Sequence, residues 1–93
     1  MNTLEAKPGE RILAVHVTAD MLVVDLADGR TVSVPLAWYP RLLHATEAQR
    51  NQWQIAGAGF SIHWAEIDED LSVQGILQGI PAAGVRVPLR TAG

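Results

Sequence analysis

The dipeptide Asp28-Gly29 sits between two short apolar runs and constrains the fold more than any other feature of the chain. Upstream, Leu22, Val24 and Leu26 alternate with Val23 and Asp25; downstream, Thr31, Val32, Ser33 and Val34 follow. A two-residue period puts alternate side chains on opposite faces of a strand. Asp-Gly adopts the positive φ angles of a tight hairpin, so the two runs are expected to pair antiparallel. A third run over residues 11–18, with Ile12, Val15 and Val17, precedes them across a turn at Ala19-Asp20. Its β-branched and aliphatic residues suit a strand. Three consecutive strands with short turns make an antiparallel meander, closed at Pro35, which has no N–H to give to a ladder.

Beyond Pro35 the period changes. Leu36, Tyr39, Leu42 and Leu43 recur at three- and four-residue spacing, the signature of a short amphipathic helix. Pro40 belongs in its first turn, where a missing N–H costs little. Thr46 and Gln49 form a capping-box pattern opening a second helix, with Glu47 adding negative charge to its first turn, and this helix is expected to reach Trp53. Ala56-Gly57-Ala58-Gly59 either breaks the helix or forms a turn. Phe60, Ile62 and Trp64 then alternate with Ser61 and His63, as in a strand with one buried face. Asp70 or Ser72 caps a last helix through Leu77, stopped by Gly79 and Pro81. The expected fold is α+β: a three-stranded antiparallel meander followed by short helices, a further strand and a C-terminal helix. Residues 1–10 read as a flexible leader, 11–79 as a single domain and 80–93 as an extended C-terminal tail.

Composition narrows the function classes. A chain of 93 residues buries a thin core, and self-association is a natural supplement. The sequence contains no cysteine, which excludes disulfides, zinc-thiolate sites and cysteine nucleophiles and fits a reducing cytoplasm. Net charge is −3 and the arginines are scattered, so no basic stripe for nucleic acid is visible and no direct nucleic-acid binding is expected. No apolar run approaches the roughly 20 residues of a membrane span, and the polar first ten residues lack a signal-peptide apolar region. The expected location is the cytoplasm, without membrane association.

The densest polar constellation is His63 with Glu66, Asp68, Glu69 and Asp70. Carboxylates and an imidazole suit a divalent metal. The spacing matches no calcium loop, however, and the competing structural reading is that residues 68–70 supply charge and a cap at a helix N-terminus. That reading is preferred, and no metal or cofactor is expected. His16, His44 and His63 are separated in sequence, and Ser33, Ser61 and Ser72 lie in no nucleophile elbow. Gly57-Ala58-Gly59 lacks the strand-loop-helix context of a phosphate loop. The chain therefore reads as non-enzymatic. Trp38, Trp53 and Trp64 are first of all packing residues. Trp38, Tyr39 and Arg41 together are nonetheless residue types enriched at interface hot spots. In the tail, Val85, Val87 and Leu89 alternate with Arg86, Pro88 and Arg90, a pattern able to add a strand to a partner or to a second copy. The competing reading there is a terminus without fixed structure. Partner-binding candidates are thus Trp38, Tyr39, Arg41, Val85, Val87 and Leu89.

Several segments in order carry a family resemblance: Leu26-Ala27-Asp28-Gly29-Arg30, Val34-Pro35-Leu36, Trp38-Tyr39-Pro40-Arg41-Leu42, Ala45-Thr46, and then the run from His63 through Val73 with Leu77 and Gly79. Together they resemble the domain-of-unknown-function 2442 family of small bacterial proteins, over roughly residues 11–79. The resemblance implies an α+β fold with an antiparallel sheet and short helices, and no established catalytic residues. Some similar proteins join this domain to a helix-turn-helix DNA-binding module. Others are encoded beside a small protein of the domain-of-unknown-function 4160 family, an arrangement resembling a toxin–antitoxin pair. The residues after Gly79 are too few for a helix-turn-helix domain, so direct transcription-factor action is not expected. The resulting expectation is an antitoxin-like interaction module that binds a small cognate protein, self-associates, or both. The alternative is a regulatory domain that senses a small molecule between sheet and helices.

Overall fold

The computed structural model describes residues 7–82. The meander is present: β1 (Ile12–Val17), β2 (Met21–Leu26) and β3 (Thr31–Pro35) form an antiparallel sheet in the order β1-β2-β3. Strand β2 shows the expected alternation, with Leu22, Val24 and Leu26 buried and the residues between them half-buried. Strand β1 departs from strict alternation. Ile12 pairs with Leu26 while Ala14 pairs with Asp25, so Leu13 is the extra residue of a bulge. The bulge lets Ile12 and Val15 both face the core, three positions apart, and leaves Leu13 64 % exposed.

The Asp28-Gly29 hairpin also differs in detail from the two-residue turn. Gly29 has φ +96°, whereas Asp28 does not enter the positive-φ region. The Gly29 N–H donates to Leu26 O at 3.1 Å and the Leu26 N–H to Arg30 O at 2.8 Å, which closes a three-residue loop with glycine in the left-handed position. Asp28 fixes the loop by accepting from the Arg30 backbone N–H at 3.1 Å and the Arg30 Nε at 2.9 Å. Part of the expected leader is structured. Pro8–Glu10 form a 3-10 turn, and the Ala27 and Asp28 N–H groups donate to Arg11 O and Gly9 O at 2.8 and 3.0 Å.

The amphipathic stretch after β3 is two pieces. Leu36–Trp38 form a 3-10 turn and α1 (Pro40–Leu43) follows, with Tyr39 at φ −131°, ψ 85° between them. A residue preceding proline is pushed out of the helical region, so Pro40 starts α1 and also prevents its continuation backwards. Helix α2 (Glu47–Arg50) carries the full Thr46/Gln49 capping box, yet it stops at Arg50, so Trp53 lies beyond the helix and not at its end. Arg50 then performs a structural task absent from the sequence reading. Its Nε and Nη2 donate to Leu42 O and Leu43 O at 2.9 and 2.6 Å, closing the C-terminal carbonyls of α1. Its own carbonyl accepts the Trp64 indole N–H at 2.9 Å.

The expected further strand is the centre of a second antiparallel sheet: β4 (Gln54–Ala56), β5 (Ser61–Trp64) and β6 (Glu69–Ser72). Ala56-Gly57-Ala58-Gly59 is the turn between β4 and β5. Helix α3 (Val73–Gln78) follows β6 directly, and of its two candidate caps Ser72 is the one used, accepting the Gly75 N–H at 3.0 Å. It ends at Gly79, φ +73°, where the Gly79 and Ile80 N–H groups return to Ile76 O and Gly75 O. In this Schellman closure the residue after the glycine commonly packs on the one five positions back. That position is Gly75, which has no side chain to meet Ile80, and Ile80 stays 55 % exposed. Both sheets and the helices share one core, including Leu22, Leu26, Leu36, Tyr39, Leu42, Ile62, Trp64 and Ile76. Within residues 7–82 no helix is long and apolar enough to cross a membrane.

Candidate functional site

The residues 68–70 do not cap a helix, contrary to the sequence expectation. Asp68 closes the turn between β5 and β6 at φ +55°, a left-handed position that aspartate tolerates better than most residues. Glu69 and Asp70 begin β6. In the register of the second sheet, His63 pairs with Asp70 and Trp64 with Glu69. Since Ile62 and Trp64 are buried, the two-residue period places Glu69 and Leu71 on the core side and Asp70 on the other. A carboxylate thereby sits on an apolar face.

The polar constellation is dispersed accordingly. His63 Nδ1 and Asp70 Oδ1 are 2.6 Å apart on the outer face. Glu66 is 3.4 Å from Gln49 Nε2, and Asp68 engages Arg41 through both its carbonyl and, at 3.7 Å, its carboxylate. Among the described residues no three His, Asp or Glu side chains converge as a metal-ligand set. Glu69 has no ion-pair partner among them. Burial holds its carboxyl above the usual range, opposed by a hydrogen bond from the Asp70 N–H and by the charge of Arg41.

Tyr39, Glu69, Leu71, Ser72, Ile76 and Ile80 line an open cavity of about 330 Å³. A second hollow of about 350 Å³ adjoins it, sharing Glu69 and Ala82 and bounded also by Pro40 and Arg41. The two form a groove between the edge strand β6, α1 and the exit of α3. Tyr39 is 1 % exposed, and its hydroxyl has no hydrogen-bond partner among the described residues. Burial, and then the charge of Glu69, push its pKa up to about 12. A hydroxyl without a hydrogen-bond partner and a half-buried carboxylate without an ion pair among the described residues therefore lie in one wall, each at a cost to the fold.

Of the sequence candidates, Tyr39 and Arg41 meet at this groove. Tyr39 is a buried wall residue, and Arg41 is exposed at the rim. Trp38 is half-buried, its ring edge-on to Tyr39 at 6.4 Å and placed 3.7 Å from where a Cβ on Gly79 would stand. Its carbonyl accepts the Ala82 N–H at 3.0 Å, which ties the chain after α3 to the groove. Val85, Val87 and Leu89 lie outside the described residues. The sequence reading missed Glu69, Leu71 and Ile80 as groove residues. The signal for Glu69 was its two-residue offset from Leu71, legible only once residues 69–72 are known to be a strand.

A family model described as "Protein of unknown function (DUF2442)" matches residues 12–82. No functionally curated protein matches the chain. A crystal structure of a protein of unknown function from Rhodospirillum rubrum is similar at 29% sequence identity and TM-score 0.71, over 80% of this chain and 92% of that one. A solution structure of an uncharacterized protein from Chromobacterium violaceum has the same fold at TM-score 0.67 and 21% identity, over 80% of this chain and 70% of that one.

Proposed function

The chain belongs to the family of proteins of unknown function DUF2442, and from that premise we propose that it is a non-enzymatic, cytoplasmic protein-interaction module, antitoxin-like in that it acts by occupying a small cognate partner. The observation that carries this reading is the groove beside β6, in which, among the described residues, the buried Tyr39 hydroxyl has no hydrogen-bond partner and the half-buried Glu69 carboxylate has no ion pair, while Ile80 is left exposed. Buried polar groups without partners are rare in folded proteins, and a bound chain that supplies a donor relieves their cost. An exposed aliphatic rim around a carboxylate suits an extended segment with alternating apolar and basic side chains. The net charge of −3 favours approach of a basic partner.

The test is reconstitution. A small protein that co-purifies from the source bacterium is produced separately and mixed with the chain. The expected result is a stoichiometric complex on size exclusion, weakened at least tenfold by Glu69→Lys and unchanged by His16→Ala on the first sheet. An affinity indifferent to Glu69→Lys, or a chain that always migrates alone, overturns the reading.

A second reading is favoured by one observation. The cavity of about 330 Å³ falls within the range of small-molecule sites, roughly 300–1,000 Å³. A regulatory domain sensing a small ligand there raises its melting temperature when the ligand binds the native state. A metabolite-library thermal shift abolished by Glu69→Lys, without any protein partner, selects this reading over the first.

A further inference from the structure

Strand β6 is the outer strand of its sheet, and among the described residues no further strand lies against it. Its four residues, Glu69, Asp70, Leu71 and Ser72, all border the hollow of about 330 Å³. A hollow over one face of a strand meets alternate residues, so one that meets four in succession runs along the strand's edge. The phase of the ladder fixes which backbone groups point into it. The Val73 N–H donates to Phe60 O at 2.9 Å, and in an antiparallel pair every second residue exchanges such bonds with the residue opposite. Leu71 and Glu69 therefore bond to Ile62 and Trp64, and Asp70 and Ser72 direct their N–H and C=O groups away from β5. Two of these four groups are engaged locally. The Asp70 N–H donates to the Glu69 carboxylate, and Ser72, as the N-cap of α3, gives its carbonyl to the first turn of the helix. The Asp70 carbonyl and the Ser72 N–H remain.

An acceptor on one residue and a donor two residues later are the pair that a single residue of a parallel strand bonds, its N–H on the first and its C=O on the second. An antiparallel strand needs both groups of one residue, and neither Asp70 nor Ser72 has both to offer. We propose that β6 takes up an extended segment of the partner as a parallel strand, one residue of which spans the Asp70 carbonyl and the Ser72 N–H opposite Leu71. Paired residues of a ladder share a face, so the side chain of that residue lies on the Leu71 side, in the groove that Ile80 borders. Two positions earlier in the segment, the side chain on the same face stands beside Glu69. A basic residue there meets a carboxylate without an ion pair among the described residues, while Arg41 on the rim stays on Asp68. The pattern recognised is thus basic, any residue, aliphatic, read from the N- to the C-terminus. The inference rests on the proposed function and adds to it the direction, register and side-chain pattern of the bound chain.

The probe is the blocked peptide acetyl-Thr-Lys-Thr-Val-Thr-amide, titrated into the 15N-labelled full chain, with the inverted order Thr-Val-Thr-Lys-Thr as its control. In the free protein the Ser72 amide is expected to exchange with deuterium quickly, and the Leu71 and Val73 amides slowly. With millimolar peptide the Ser72 amide should gain protection and show the largest shift. The inverted peptide, and the peptide N-methylated at its valine, should each bind roughly tenfold more weakly, as loss of a hydrogen bond or a charge contact of this kind produces. Glu69→Gln should erase the advantage of lysine over norleucine at the second position and leave the protection of Ser72 in place. A Ser72 amide already protected in the free chain, equal affinity for the two orders, indifference to N-methylation, or no binding at all overturns the proposal. A reconstituted partner complex that is sensitive to Glu69→Lys yet leaves Ser72 unprotected sinks this inference alone. Peptide binding as described, with no cognate protein that binds, sinks the proposed function alone.

Discussion

Tyr39→Phe is expected to make the protein more stable. The ring is part of the core and stacks edge-on against Trp38 at 6.4 Å, contacts that phenylalanine keeps. What the substitution removes is a buried hydroxyl without a hydrogen-bond partner. Leaving such a group unsatisfied costs about 1–3 kcal/mol, so a gain of about 1 kcal/mol or more is expected at pH 7. For a domain of this size that corresponds to a rise in melting temperature of roughly 4–8 °C. Urea unfolding should show a higher midpoint with an unchanged m-value, because the surface exposed on unfolding is the same.

The alkaline limb provides an independent check on the same atom. Tyr39 titrates at its ordinary 10.0 when unfolded and at about 12 when folded. A group whose folded pKa is raised contributes stability that is intact below the unfolded value and lost as pH rises toward the folded one. Between pH 10 and about 12 the native protein should therefore lose on the order of 2 kcal/mol through this group. The phenylalanine variant should lack that loss, so the stability gap between the two proteins widens with pH. A variant less stable than the parent at pH 7, with a gap that does not widen above pH 10, refutes the assignment of an unpaired buried hydroxyl.

Arg50→Met should cost about 2–3 kcal/mol, because it strips two charge-assisted bonds from the α1 carbonyls, and Arg50→Lys should recover only part of it; chemical denaturation measures both. Gly79→Ala should cost about 1 kcal/mol through its φ of +73° alone, since a Cβ there meets Trp38 only at an ordinary 3.7 Å; a cost of several kcal/mol in thermal unfolding would contradict this. The Arg30 hydrogen bonds hold the Asp28 carboxyl below its ordinary 3.8, so its contribution is present above that pH and lost as pH falls through the folded value. Asp28→Asn should accordingly flatten the acid limb of the stability–pH curve. Glu69→Leu should raise stability by about 1 kcal/mol, by removing a carboxylate from an apolar face, and should abolish Glu69-dependent partner binding.

Where burial follows a clean period, the sequence was a sufficient guide to the fold. Leu22, Val24 and Leu26 announce β2, and Ile62 and Trp64 announce β5, because their alternation coincides with one dry face. Thr46 with Gln49 announces α2 because both halves of the capping box are local chemistry. Strand β4 was illegible for the converse reason. Gln54, Ile55 and Ala56 are all exposed, so their pairing with β5 leaves no burial pattern to read. The Leu13 bulge and the three-residue form of the Asp28 loop depend on register, which no single run encodes.

The groove coincides with the two places where local and global preferences disagree. Leu36, Tyr39 and Leu42 have helical spacing, but Pro40 expels Tyr39 from the helix and turns its ring into the core with the hydroxyl unmatched. Residues 68–70 have the composition of a helix cap, yet pairing with β5 makes 69–72 a strand and sends Glu69 to the apolar side. A sequence selected for folding alone would place leucine and phenylalanine at these positions and an apolar residue where Gly75 leaves Ile80 uncovered. Departures of this kind around one open groove are what the proposed binding role, retained against stability, would produce. The same reasoning distributes the roles. Arg50, Ser72 and Gly79 hold the frame, and Glu69 with the exposed Ile80 rim forms the surface that the proposed partner would cover.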